Sequence, residues 1–242
     1  MVRAGLALSC EGNSERDGEG ASFNGATGRS DIEGKAARVA ASKRGRERVS
    51  IKNWETQLMV NIRGMTPEER MRLESIEIVL RSDTVREQIR PIIERVRAEL
   101  ARKNEALMTW EPIPLTVFGR TLPPEIRSAW VFVLRAGADT GAERHPNSHQ
   151  RMMTFEGSGD MQTEERGQWQ SNVLVSDHEA PLEQRWISIP QNVWHRPVVG
   201  ADADWTVVSF HTVPAEELIE EKPDDSSQDG TKQMKYMDVK GS

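Results

Sequence analysis

GADTGAERHPNSHQRMMTFEG, residues 137–157, and PQNVWH, residues 190–195, decide the reading of this chain. The first stretch begins and ends on glycine. It follows AWVFVL (129–134), a run apolar at every position that reads as a central strand, and it runs into RMMTF (151–155), a second strand. In the second stretch Pro190 ends the strand RWISI (185–189) and His195 leads into PVV (197–199). All five histidines lie between His145 and His211, and the first 144 residues have none. Imidazole is the commonest metal ligand and the usual proton carrier near neutral pH, so this clustering is a functional signal. His178, in the turn SDHEAP, reads as a surface residue.

Outward from these stretches the same character persists. LTVF (115–118), WQSNVLV (169–175) and TVVSFHTV (206–213) are β-rich runs separated by Gly, Pro and Asp turn residues. Several short strands with no helix between them imply a sandwich or barrel. Before them, residues 66–108 read as helix. Thr66, Pro67 and Glu69 form a start signal, and Ser82, Asp83 and Thr84 form a second. Val85, Ile89, Ile92, Val96 and Leu100 recur at helical spacing, and Pro91 is expected to bend or restart the helix. Such an amphipathic pair packs on its own domain or forms a dimer contact. The expected organisation is a disordered tail over 1–53, a helical segment over 54–111, a β-barrel over 112–214, and a short helix (AEELIEE) with a disordered tail over 215–242.

Composition narrows the function. With 29 % charged residues and mean hydropathy −0.63, the chain is too polar to fold throughout, which fits disordered ends. A net charge of −6 supplies no field for nucleic acid or anionic membrane. The basic residues Lys43, Arg44, Arg46, Arg48 and Lys52 read as a solvated end of the tail. A single cysteine, Cys10, excludes an intrachain disulfide, and no apolar run is long enough to span a bilayer. The apolar segment Ala4–Cys10 is too short for a signal core, so a cytoplasmic protein is expected. Phosphate-binding loops, nucleophile elbows and CxxC pairs are absent.

Gly137, Glu143, His145, Gln150 and Gly157 match in order the first motif of the cupin superfamily, a glycine, His-x-His, a glutamate and a glycine. Pro190, Asn192 and His195 take the places of the second motif's proline, glycine and histidine. The chain thus resembles a cupin over roughly residues 112–213. The resemblance implies a mainly β fold, a double-stranded β-barrel of the cupin or jelly-roll type. Glu143 stands for the family's first histidine, Gln150 for its glutamate and Val199 for its closing asparagine. The implied ligand set becomes Glu143, His145, Gln150 and His195. An alternative register substitutes His149 for Gln150, because adjacent strand residues face opposite sides. Two imidazoles and a carboxylate suit Fe(II) first and can equally hold Zn(II) or Mn(II).

His211 shares a face with Val207 and Ser209 and is the candidate general base. Trp194, beside His195, is the candidate for the pocket mouth and for substrate contact. Arg144, Arg151 and Arg196 neighbour the inward residues and are expected to point out to solvent. The resemblance implies a metal-dependent enzyme on a small organic molecule, with a dioxygenase first and an isomerase as another option. The alternative is a non-catalytic binding or sensor barrel that has lost its metal. Expected partners are a small molecule and a second copy in a homodimer, with no nucleic acid and no membrane.

Overall fold

The computed structural model describes residues 65–239. The expectations for residues 1–53, including Cys10 and the basic run, lie outside the described residues. Thr66 caps α1 (Pro67–Arg81) by accepting the Glu69 N–H at 3.2 Å, and Pro67 occupies a first-turn position that needs no N–H. Ser82 closes α1 and opens α2 (Asp83–Arg102): its N–H reaches Val79 O and its hydroxyl accepts from Val85 N. Of the bend or restart expected at Pro91, the restart does not occur, and α2 runs through it. Pro91 and Glu87 are both exposed, so water can satisfy the Glu87 carbonyl that the missing N–H leaves.

The strands follow in order: β1 (Met108–Ile113), β2 (Ser128–Leu134), β3 (Gln150–Glu156), β4 (Ser158–Glu165), β5 (Gln168–Gln170), β6 (Val173–Val175), β7 (Trp186–Ile189), β8 (His195–Val198), β9 (Trp205–His211), β10 (Ile219–Pro223) and β11 (Thr231–Lys235). A short helix, α3 (Tyr236–Val239), ends the described chain. One antiparallel sheet has the order β1-β2-β9-β3-β7. In the second, β4 pairs with β8 on one edge and with β5 and β6 on the other. The chain passes from the first sheet to the second at Gly157, whose φ is +80° and whose Cβ position would lie 2.6 Å from Asp204 O. A side chain is excluded there twice over. The result is the mainly β double-stranded barrel, preceded by helices, that the sequence implies.

Strand parity sorts the side chains into two cores. On β2, Trp130, Phe132 and Leu134 point into the barrel with Met152, Ile187, Trp205 and Val207. Ala129, Val131 and Val133 point outward with Phe155, Trp186 and Phe210, and there meet Leu73, Ile76, Ile89 and Val96 of the two helices. The helical pair therefore packs its apolar stripe on its own barrel.

Three segments differ from the sequence reading. LTVF forms a 3₁₀ turn, Leu115–Phe118, and the first strand lies earlier, inside the segment read as helical. That strand, β1, sits at a sheet edge, where Pro112 costs no ladder bond. WQSNVLV breaks into β5 and β6 at Asn172, whose N–H is taken by Asp160 Oδ1 at 2.6 Å. Residues 215–239 form a 3₁₀ turn, the β10–β11 hairpin and α3 rather than a helix and a disordered tail. Burial of Leu218, Glu220, Glu221 and Tyr236 against the barrel outweighs the local polarity. No helix among the described residues is long and apolar enough to cross a membrane.

Candidate metal centre

Glu143 and His195 meet because their backbones are paired. The N–H of each reaches the carbonyl of the other at 2.8 Å, which sets them directly opposite in an antiparallel bridge. His145, two residues on, keeps the same face. Asn192 adopts φ +63° and directs its N–H to His145 O at 3.1 Å. It occupies the place of a motif glycine, and asparagine tolerates this left-handed region better than most residues.

One ligand atom from each of Glu143, His145 and His195 lies within 4.8 Å of the others, and all three residues are buried. His195 Nε2 is 3.5 Å from the Glu143 carboxylate. The second ring nitrogens are tied off: His145 Nδ1–H donates to Ile219 O, and His195 Nδ1–H donates to Val193 O, both at 3.0 Å. These bonds fix the tautomers and leave both Nε2 lone pairs free. The buried His195 Nε2 has no hydrogen-bond partner. Burial, followed by the His195 charge, lowers His145 to about 4. Burial would raise Glu143, but His195, whose Nε2 stands 3.5 Å away, outweighs it and holds the carboxyl well below the usual range. An ionised Glu143 beside a neutral His145 is the protonation state a divalent cation requires.

Gln150 faces the same cavity and His149 does not. Gln150 Nε2 donates to Ser209 Oγ at 3.1 Å, while its buried Oε1 has no partner. His149 lies on the other side of the sheet, with its Nε2 2.7 Å from Ser188 Oγ. It stands outside the Glu143, His145 and His195 group, as strand parity requires once β3 begins at Gln150. His211 points inward but both its nitrogens are engaged, Nε2 with Ser209 Oγ at 3.1 Å and Nδ1 with Ser148 Oγ at 3.2 Å. It thereby anchors the serine that orients Gln150, and burial holds it well below its usual pKa as a neutral ring.

Trp194 does not line the cavity and lies 4.5 Å beneath the Arg144 guanidinium. Arg144 pairs with Glu221, Arg151 with Glu69, and Arg196 with Gln162, so all three turn away from the ligands, but Arg151 turns into a buried pair with α1 rather than out to solvent. The cavity itself is about 20 Å³, with Glu143, His145 and Gln150 on one wall and Phe132, Leu134, Met152, Met161 and Val207 around them. That is room for one water or one ion.

Two residues beside this centre come from β10 and from the start of α3 and escaped the sequence reading. Glu220 hydrogen-bonds Glu143, and burial with the Glu143 charge pushes its carboxyl up to about 8. Tyr236 is buried beside them, and its hydroxyl has no partner. The sole signal in the sequence was that Tyr236 is the one tyrosine of the chain, set among polar residues.

No protein-family model and no curated protein sequence matches the chain. Among solved structures it is similar to the capsular polysaccharide assembling protein CapF from Staphylococcus aureus, at 12 % identity and TM-score 0.36, over 53 % of this chain and 32 % of that one. It is also similar to pumpkin seed globulin, at 21 % identity and TM-score 0.37, over 48 % and 28 % of the two chains. A third similarity is to the formate complex of Lactobacillus farciminis oxalate decarboxylase, at 14 % identity and TM-score 0.35, over 45 % and 29 %. These are cupin-fold proteins, and the match spans about a third of their length.

Proposed function

We propose that this chain is a cupin-type protein whose barrel holds one divalent metal ion on Glu143, His145 and His195, with Gln150 as a neutral fourth donor, and that it acts on a small organic molecule. The observation that carries this reading is the pair of histidines whose Nδ1 positions are tied to carbonyls while both Nε2 positions converge on a buried carboxylate. No structural need of the barrel accounts for the unpartnered His195 Nε2 and Gln150 Oε1. A cation held between them accounts for both.

Two imidazoles and one carboxylate favour Fe(II), while Zn(II) and Mn(II) suit the same donors. Such an ion supplies Lewis acidity and open coordination positions, and a dioxygenase is the reaction class proposed first. The chain's own residues do the rest. The Ser148–His211–Ser209 relay fixes the Gln150 carboxamide. The apolar wall from Phe132 to Val207 excludes water from the ligands. Elemental analysis of wild type beside Glu143→Gln, His145→Ala and His195→Ala tests the reading. One equivalent of metal in wild type and none in the variants is expected. Wild type that neither carries metal nor takes it up on titration would overturn it.

A further inference from the structure

The aromatic slot beside the metal ligands is filled by the protein itself. The Tyr236 ring stands edge-on to three others: Trp110 at 5.1 Å and 68°, Trp130 at 5.5 Å and 60°, and Phe132 at 5.8 Å and 83°. His145 lies 6.2 Å away. Edge-on packing on several sides is the favoured arrangement for a bound aromatic ring. The Tyr236 hydroxyl is buried with no hydrogen-bond partner. The apolar part of the slot is thus matched to a ring, while the polar end of its present occupant is unsatisfied.

The attachment of this occupant is uneven. β10 is seated firmly: Arg144 and Glu221 exchange backbone hydrogen bonds at 2.9 and 3.0 Å and pair through their side chains, and Asn147 binds Glu217 O and the Ile219 N–H. β11 pairs with β10 alone, and Lys232, Gln233 and Lys235 on it are exposed. Apart from its ring, Tyr236 is tied back by one backbone bond, its N–H to Leu218 O at 3.0 Å. The remaining cavity of about 20 Å³ admits no organic molecule while the ring is in place.

We infer that the Tyr236 slot is the barrel's binding site for a small aromatic ring, and that β11 and α3 form a displaceable cover whose tyrosine holds the ligand's place. The inference rests on reading the barrel as a small-molecule site. A cover that competes with ligand lowers the apparent affinity by the fraction of molecules that are open.

The test is calorimetric titration of the full chain with phenol and with cyclohexanol, in wild type, Tyr236→Ala and Tyr236→Phe. Tyr236→Ala should bind phenol at least about tenfold more tightly than wild type does, and more tightly than it binds cyclohexanol. Tyr236→Phe, which keeps the ring and drops the unpartnered hydroxyl, should bind phenol no more tightly than wild type. Phenol should also speed tryptic cleavage of wild type after Lys235, and cyclohexanol should not. Equal phenol affinity in wild type and Tyr236→Ala, or equal affinity for the two probes, overturns the inference. Should the alanine variant not fold, cleavage at Lys235 that phenol leaves unchanged overturns it alone. Metal content on the same samples separates the two readings: phenol binding without metal removes the metal reading only, and metal without phenol binding removes this one only.

Discussion

Gln150 shows how a neutral side chain becomes a directed donor. An amide left to rotate would present nitrogen or oxygen to the cavity indifferently. Ser209 Oγ accepts from Nε2 at 3.1 Å and so turns Oε1 inward, and His211 in turn holds the serine. Ser209→Ala should therefore weaken metal binding by about tenfold while leaving one ion per chain, the low end of what such supporting partners are worth. Competition with a chelator measures it, and an unchanged affinity would show that Gln150 is not a ligand. Gly159 carries a different constraint: a Cβ there would lie 2.2 Å from the Trp205 ring. Gly159→Ala should cost about 1–3 kcal/mol by overpacking, read as a lowered midpoint in urea. At this scale much of the centre was legible, because Gly137, Glu143, His145 and His195 are set by spacings within two short stretches. The choice between His149 and Gln150 was not, since it depends on where regular strand begins. Glu220 and Tyr236 were beyond reach, because their contacts with Glu143 and His145 join positions far apart in the chain.

Between elements, a buried ion pair couples α1 to the barrel. Arg151, buried on β3, gives two hydrogen bonds to the Glu69 carboxylate at 2.6 and 2.9 Å, and Ser188 of β7 adds a third at 2.7 Å. Burial alone would raise Glu69, but the hydrogen bonds from Arg151 and Ser188 and the Arg151 charge hold it below its usual pKa. A lowered carboxyl contributes stability above its unfolded value, about 4.3, and loses it as pH falls through the folded value. His149, beside the pair, is lowered by burial and then by Arg151, so its contribution is complete above about 6.5 and fades below that. Both groups act in the same direction, and acid should loosen α1 from the sheet. Glu69→Gln leaves Arg151 buried without a counter-charge and should cost about 3 kcal/mol at pH 7, with a flatter stability profile below pH 5. Urea melts across that range measure both, and a cost under about 1 kcal/mol would reduce the pair to an exposed one in effect. The helix caps at Thr66 and Ser82 were readable because capping is local. The passage of α2 through Pro91 and the turn at 115–118 were not, because solvent exposure and sheet order decided them.

For the whole molecule, the same sheet must be covered on both sides. Its inner face closes over the ligands, and its outer face carries Val131, Val133, Met153, Phe155, Trp186, Val208 and Phe210 beneath the helices. These seven side chains are each worth about 1.5–3 kcal/mol when fully buried. Together, after discounting for a compact unfolded state, they are comparable to the roughly 5–15 kcal/mol by which a domain is stable. The barrel is therefore expected to need the helices in order to fold, although it alone carries the resemblance and the metal ligands. A chain shortened to begin at Met108 keeps Glu143, His145, His195 and Gln150 but loses both helices and the Glu69 partner of Arg151. It should lose cooperative unfolding and near-UV circular dichroism, bind a hydrophobic dye, and fail to hold metal despite its complete ligand set. A soluble shortened chain that melts cooperatively and retains one metal ion would show instead that the helices are an appendage, and that the barrel alone organises its centre.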